Sequence, residues 1–349
     1  MQLIIRFFFT FSFFLSIVIQ SSFGQKTINA RIDSLITTVT NKPFNGIILI
    51  SRNGKTIYQR CHGYSNFINN IPLQTNDQYV IGSISKQITA VLLLQEVEKG
   101  HVQLNAPVHT YLKNLKQRWA DTVTVHQLLT HTHGITALNQ PLAFRPGSQY
   151  QYSQIGYELL ARIIQKTARR SFAALSTELF KKCGMNNTHH PDIHIHGDGI
   201  LVTGYSEASE GNLAVQTNTF KNYVPAALFI STAEDLLKFN NCLHSGQLLP
   251  DSLYNLMTTR YAVRQHPVFG KTDYGYGLTI DDREGVRQLG LTGLVPGFAS
   301  MDFYYPETKT SIIILENVTW YRLKTDDESL KKTFYYHLLI MKMVKDQMK

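Results

Sequence analysis

Cysteine is scarce in this chain: Cys61, Cys183 and Cys242 are the only three among 349 residues. So sparse and odd a set cannot build a disulfide framework, and it leaves at least one thiol without an intramolecular partner. The wide spacings also argue against a zinc finger or ribbon. Runs of one charge are missing too. The formal net charge is +9, yet Arg169-Arg170, Lys181-Lys182 and Lys331-Lys332 are isolated pairs rather than a stripe. That diffuse excess favours anionic surroundings only weakly and gives no footprint for nucleic acid. No phosphate loop, nucleotide fingerprint, internal repeat or low-complexity linker occurs, and no cofactor is implied. After the N-terminal segment, no apolar stretch approaches the roughly 20 residues that a membrane span needs. Stability has to come from a buried core, and a chain that is 43% apolar and 17% charged is composed for one.

The N-terminus carries an address. Arg6 precedes an apolar run from Phe7 to Ile19, and Ser22-Phe23-Gly24 supplies small residues three and one before a cut at Gln25. Residues 1–24 are expected to be a cleaved signal peptide and 25–349 the mature chain, periplasmic or secreted, without stable membrane insertion. No cysteine follows the apolar run to suggest a lipid anchor.

The most organised stretch of the mature chain is Ile81-Gly82-Ser83-Ile84-Ser85-Lys86. On a helix, Ser83 and Lys86 would project from one face a turn apart. An amine beside a hydroxyl can take its proton, and a helix start adds N–H donors useful to an oxyanion. The spacing is not specific, since Ser329 and Lys332 repeat it. The residues downstream of each pair tell them apart. From Ile88 to Leu94 nearly every residue is apolar, which reads as a helix buried all round and closed at Gly100. Upstream, residues 27–41 have a helical stripe. Phe44–Ile50 and Thr56–Arg60 flank the Asn53-Gly54 turn of a hairpin. Near the C-terminus, Gly297–Tyr304 and Thr310–Leu315 read as a second hairpin and 327–345 as a closing helix.

Further motifs occur in a fixed order. Val125 to Ile135, containing Leu128-Leu129-Thr130-His131-Thr132-His133-Gly134, resembles the Leu-Leu-Thr-His-Thr-Ser-Gly stretch of the serine β-lactamase-related family, with His133 at the usual serine. That family includes class C β-lactamases, D-alanyl-D-alanine carboxypeptidases, D-aminopeptidases and esterases. Tyr152-Ser153-Gln154 ahead of Gly156-Tyr157 resembles its second motif, Tyr-Ser-Asn. Cys183-Gly184-Met185, Ser231-Thr232-Ala233-Glu234-Asp235 and a Tyr274-Gly275-Tyr276-Gly277 strand match later segments. Leu291-Thr292-Gly293 before Pro296-Gly297-Phe298 resembles its third motif, His-Thr-Gly or Lys-Thr-Gly. The matches run from about Phe44 to Asn317.

The resemblance implies an α/β (α+β) fold of the β-lactamase/DD-peptidase kind. In it an antiparallel sheet is built from the N- and C-terminal segments, and a mainly helical lobe is inserted. The corresponding division is an α/β lobe over about 25–82 and 265–349 and a helical lobe over about 83–264. It implies a serine hydrolase working through an acyl-enzyme on an ester or amide. Ser83 would be the nucleophile, Lys86 and Tyr152 would manage protons, and the backbone N–H groups of Ser83 and Leu294 would form the oxyanion hole. Gln154, Leu291, Thr292 and Gly293 would face the substrate, a small molecule or peptide such as one derived from the cell wall. Two departures bear on that substrate. Gln154 reaches one methylene further than asparagine, and Leu291 removes the third-motif cation. Either the substrate lacks a carboxylate at that point, or a cation such as Arg287 is supplied from elsewhere. A D-Ala-D-Ala carboxypeptidase or β-lactamase, and a catalytically weak binder of peptidoglycan fragments, stay open as alternatives. His189, His190, His194 and His196, with Asp192 and Asp198, read as a polar loop rather than a metal site, because their spacing matches no ordered site.

Overall fold

The computed structural model describes residues 28–192, 200–216, 223–320 and 326–348. The expected signal peptide, His194, His196 and Asp198 lie outside them. An opening helix, α1 (28–37), precedes the hairpin β1 (Gly46–Arg52) and β2 (Lys55–His62). Asn53 and Gly54 take positive φ angles of 52° and 73°, the left-handed pair that a two-residue hairpin turn demands. Six further strands come from the C-terminal part of the chain: β3 (Ala262–His266), β4 (Gly270–Tyr274), β5 (Thr279–Asp281), β6 (Gln288–Val295), β7 (Phe298–Tyr305) and β8 (Thr310–Glu316). Their order in one antiparallel sheet is β2-β1-β8-β7-β6-β5-β4-β3. Between the two groups lie α2 (Ser85–Glu98), α3 (Val125–Leu129), α4 (Gln154–Ala168), α5 (Phe172–Lys182), α6 (Ala233–His244) and α7 (Asp251–Met257). The fold is therefore the mixed class expected, with a sheet made from both ends of the chain.

The central strands are apolar on both faces because both faces are covered. In β1, Ile47 and Leu49 enter one core with the helices of the central segment, while Ile48 and Ile50 enter a second with α1 and the C-terminal helix. Ile313 and Leu315 alternate with Ile312 and Ile314 in β8 in the same way. α2 is the centre of the first core, with Ile88 and Val91 through Leu94 all buried. Truncating Leu93 to alanine there costs about 2–5 kcal/mol in comparable cores.

Three details depart from expectation. The terminal helix is two, α8 (Asp327–Thr333) and α9 (Tyr335–Lys345), because Phe334 leaves the helical path to bury its ring against His266 and Phe269. Of Tyr274-Gly275-Tyr276-Gly277, only Tyr274 is strand, the last residue of β4; the rest bends away. A Cβ on Gly275 would come within 2.3 Å of the Met257 carbonyl oxygen, and one on Gly277 within 2.7 Å of that of Lys86. A small polar hairpin, Tyr205–Ser209 with Asn212–Val215, extends by parallel pairing to Val318–Thr319. Cys61, Cys183 and Cys242 are free thiols. Among the described residues no helix is long and apolar enough to cross a membrane.

Candidate active site

Ser83 lies in a tight helical turn, Gly82–Ile84, that leads directly into α2. Gly82 carries φ +56°, and a Cβ there would fall 2.7 Å from the Leu294 nitrogen. On the other side, a Cβ on Gly293 would sit 2.2 Å from Ser300 Oγ and 2.3 Å from the Ile81 carbonyl oxygen. The two glycines let the Ser83 turn lie flat on β6, and Ser300 Oγ pins it by donating to the Ile81 carbonyl at 2.7 Å. Ser83 and Leu294 thus bring their backbones to one place. On β6, β5 pairs only with Gln288, Leu289 and Gly290, so the edge of β6 past Gly290 has no partner strand among the described residues.

Lys86 is fully buried, and its Nζ lies 3.2 Å from Ser83 Oγ. It donates also to Gln154 Oε1 at 2.6 Å and to the Ala226 carbonyl at 2.7 Å. These acceptors, with the Tyr152 phenol beside them, surround an ammonium that can only donate. Burial nevertheless lowers its pKa, an effect opposed by the neighbouring Tyr152 and reinforced by Arg264. Gln154, at the start of α4, therefore holds the lysine. Ala226 belongs to a π-helical turn, Val224–Leu228, that closes the floor of the site.

Tyr152 completes the group. Lys86 Nζ stands 4.6 Å from its ring centroid, and the Arg264 guanidinium 5.0 Å from it. Burial pushes the phenol up, but the charges of Lys86 and Arg264 and hydrogen bonds to Lys86 and Ser83 outweigh it, so the net shift is downward. The ring is held by His131, whose centroid is 4.5 Å away. His131 Nδ1 accepts from the Ser153 N–H at 3.3 Å, which leaves Nε2 to donate to the Tyr274 hydroxyl at 3.2 Å. This buried imidazole has a pKa well below the usual value because of burial and then the charge of Lys86. It sits in a left-handed backbone conformation, φ 58°, and its carbonyl receives the Gln151 N–H at 2.8 Å. The Leu-Leu-Thr-His turn is thus a clamp for the Tyr-Ser-Gln segment. His133, the residue at the usual serine, is buried beside it; a Cβ on Gly156 would lie 2.8 Å from its Nε2.

Leu291 is buried and pairs with Asp302 across β6 and β7, while Thr292, one residue out of phase, faces the opposite side of the sheet. Arg287 does not replace the missing cation: its guanidinium donates to the Thr258 carbonyl at 2.9 Å, beside a different cavity. Arg264, on the edge strand β3, carried no motif signal, and His131 read only as part of a motif turn. Ser329 of the second Ser-x-x-Lys pair exchanges hydrogen bonds with Asp326 at the exposed start of α8, far from this machinery. His190 packs edge-on against Phe229, and among the described residues no cluster suited to a metal ion occurs.

A sheet sandwiched between helices, with a buried Ser-x-x-Lys turn set against a tyrosine and a glycine-rich strand, defines the β-lactamase-like class of serine hydrolase folds. The chain belongs to the Beta-lactamase family, whose model matches residues 37–327. It is similar to penicillin-binding protein 4* of Bacillus subtilis, 25% identical over 339 residues that cover 82% of this chain and 71% of the relative. The octameric penicillin-binding protein homologue from Pyrococcus abyssi superposes with a TM-score of 0.76 at 25% identity, over 90% of this chain and 77% of that one. The D-amino acid amidase from Ochrobactrum anthropi SV3, solved with D-phenylalanine, shares the fold with a TM-score of 0.79 at 19% identity, covering 92% of this chain and 99% of that one.

Proposed function

We propose that the protein is an exported serine hydrolase that cleaves an ester or amide through an acyl-enzyme on Ser83. The observation that carries this reading is the buried Lys86 ammonium 3.2 Å from Ser83 Oγ. Ser83 Oγ attacks the carbonyl and its proton passes to the Lys86–Tyr152 pair. The tetrahedral oxyanion rests on the N–H groups of Ser83 and Leu294. The leaving group takes the proton from Tyr152, and the same phenolate then draws a proton from the water that releases the acyl group. The open edge of β6 and Thr292 border the substrate, and Gln154 acts mainly by positioning Lys86. A second reading, an acyl-enzyme formed with penicillin and barely turned over, is favoured by the penicillin-binding relatives.

Labelling separates the two. A fluorophosphonate probe should modify wild type and not Ser83→Ala, and p-nitrophenyl esters should be turned over only by wild type. Labelling by fluorescent penicillin without fluorophosphonate reactivity would favour the second reading. Folded protein whose Ser83 takes neither probe would overturn both.

A further inference from the structure

Two of the three thiols meet in the core. Cys183 caps the end of α5, Cys242 lies near the end of α6, and both are buried in the same apolar cluster. The chain that leaves α5 runs along α6: the Asn187 N–H and the Thr188 hydroxyl donate to Asp235 Oδ2 at 2.7 and 2.9 Å. Asp235 and Cys242 share one face of α6, about two turns apart. Cys183 meets Cys242 at the far end of this seam, where their side chains hydrogen-bond. The Cys242 thiol also donates to Gln247 Oε1 at 3.3 Å, but Gln247 is exposed and can turn to water instead. Cys61 stands apart on β2.

We propose that Cys183 and Cys242 are a modification site: in the exported protein they join as a disulfide that braces α5 against α6. The inference takes its oxidant from the export reading and does not depend on Ser83 as the nucleophile. That oxidant is a disulfide of the oxidising compartment, carried by an oxidoreductase or a small molecule. The thiolate of one cysteine attacks it and releases one thiol, and the thiolate of the other then displaces the second. The two cysteines lose two protons and two electrons, and the oxidant's disulfide is reduced to two thiols.

Burial and the contact with Cys242 push the Cys183 thiol up, so the attacking thiolate is scarce in the finished fold. The bond therefore closes while the chain is folding, and the same burial then screens it from reductants. The loop it closes contains Val224–Leu228, the turn whose Ala226 carbonyl receives Lys86. Closing that loop restricts the unfolded chain and so stabilises the fold around the site.

Refolding the protein from urea in oxidised glutathione, then alkylating and digesting it, decides the pairing. Mass spectrometry should find one linked peptide pair, Cys183 to Cys242, lighter by two hydrogens than the free thiols, with Cys61 alkylated. Three alkylated thiols, or a link through Cys61, overturns the proposal. The linked protein should melt about 5 °C or more above the same protein after reduction, whereas reduction should leave Cys242→Ala unmoved. Each protein is compared with itself, so a variant that is merely less stable still gives an answer. Equal melting temperatures for linked and reduced wild type would sink the bracing role. Expression with the native N-terminus in a bacterium tests export separately. If refolding links the pair but protein recovered from the cell keeps three thiols, the export reading fails and the pairing stands.

Discussion

Replacing Tyr152 by phenylalanine removes one oxygen and leaves the ring that His131, Lys86 and Arg264 surround. A protein-folding defect is therefore not expected, and hydrolysis should fall by about 10²–10⁴-fold, chiefly in kcat. The pH profile carries the same information. Lys86 and Arg264 pull the phenol below its ordinary range despite burial, so activity should rise with pH along a limb centred below the roughly 10 of a free tyrosine. Lys86→Met, which removes the nearer cation, should move that limb upward as well as lower the rate. His131 acts one step back, as a positioning residue. His131→Ala should reduce kcat more than it raises KM and displace the same limb, since it loosens the ring without touching the substrate. That Ser83, Lys86, Tyr152 and Leu294 would come together was legible because each sits inside a short motif. Arg264 was not, because a solitary arginine on a polar edge strand has no local pattern. Its meaning comes only from the three-dimensional return of β3 to the Tyr152 loop.

At the level of the elements, two glycines decide whether the Ser83 turn can reach β6. Gly293→Ala would drive a methyl into Ser300 Oγ and the Ile81 carbonyl, both within 2.3 Å of the new atom. Gly82→Ala would meet the Leu294 nitrogen at 2.7 Å from a backbone already at φ +56°. Each substitution should lower kcat by about 10²-fold or more through the displaced oxyanion donors, and each should lower the melting temperature measurably by circular dichroism. The apolar run of α2 and the Asn53-Gly54 turn declared themselves in the sequence because burial and turn chemistry leave periodic or dipeptide signals. The hairpin Tyr205–Ser209/Asn212–Val215 did not, since Glu207, Ser209 and Asn212 break the alternation a half-buried strand would show. The break at Phe334 was hidden for the opposite reason: the helical pattern continues through it, and the tertiary contacts with His266 and Phe269 win.

Across the whole molecule, the carboxyl of Asp302 lies buried in β7 opposite Leu291 and accepts a 2.6 Å hydrogen bond from Asn240. Burial pushes it up to about 7 from 3.8, against the pull of that hydrogen bond. A carboxyl raised in the fold holds its proton more tightly than in the unfolded chain. Its contribution is therefore full below the unfolded value and declines as pH rises towards 7. Urea unfolding of wild type should show stability falling by a few kcal/mol, on the order of 1.4 per pKa unit, across that window. Asp302→Asn should flatten the slope. An unchanged slope in the variant would assign the pH dependence elsewhere.

The arrangement of the sheet also imposes a schedule. β1 is flanked by β2 and β8, so Gly46 faces Glu316 from almost the other end of the chain. During synthesis the ribosome releases Ser83 and Lys86 long before β6, β7 and β8, which carry Leu294 and close the core beneath α2. The nascent chain thus cannot set Ser83 and Lys86 against Leu294 before its last third is made, and contacts of such long range form slowly. On the proposed reading, the chain can act on a substrate only once the final strands lock the sheet.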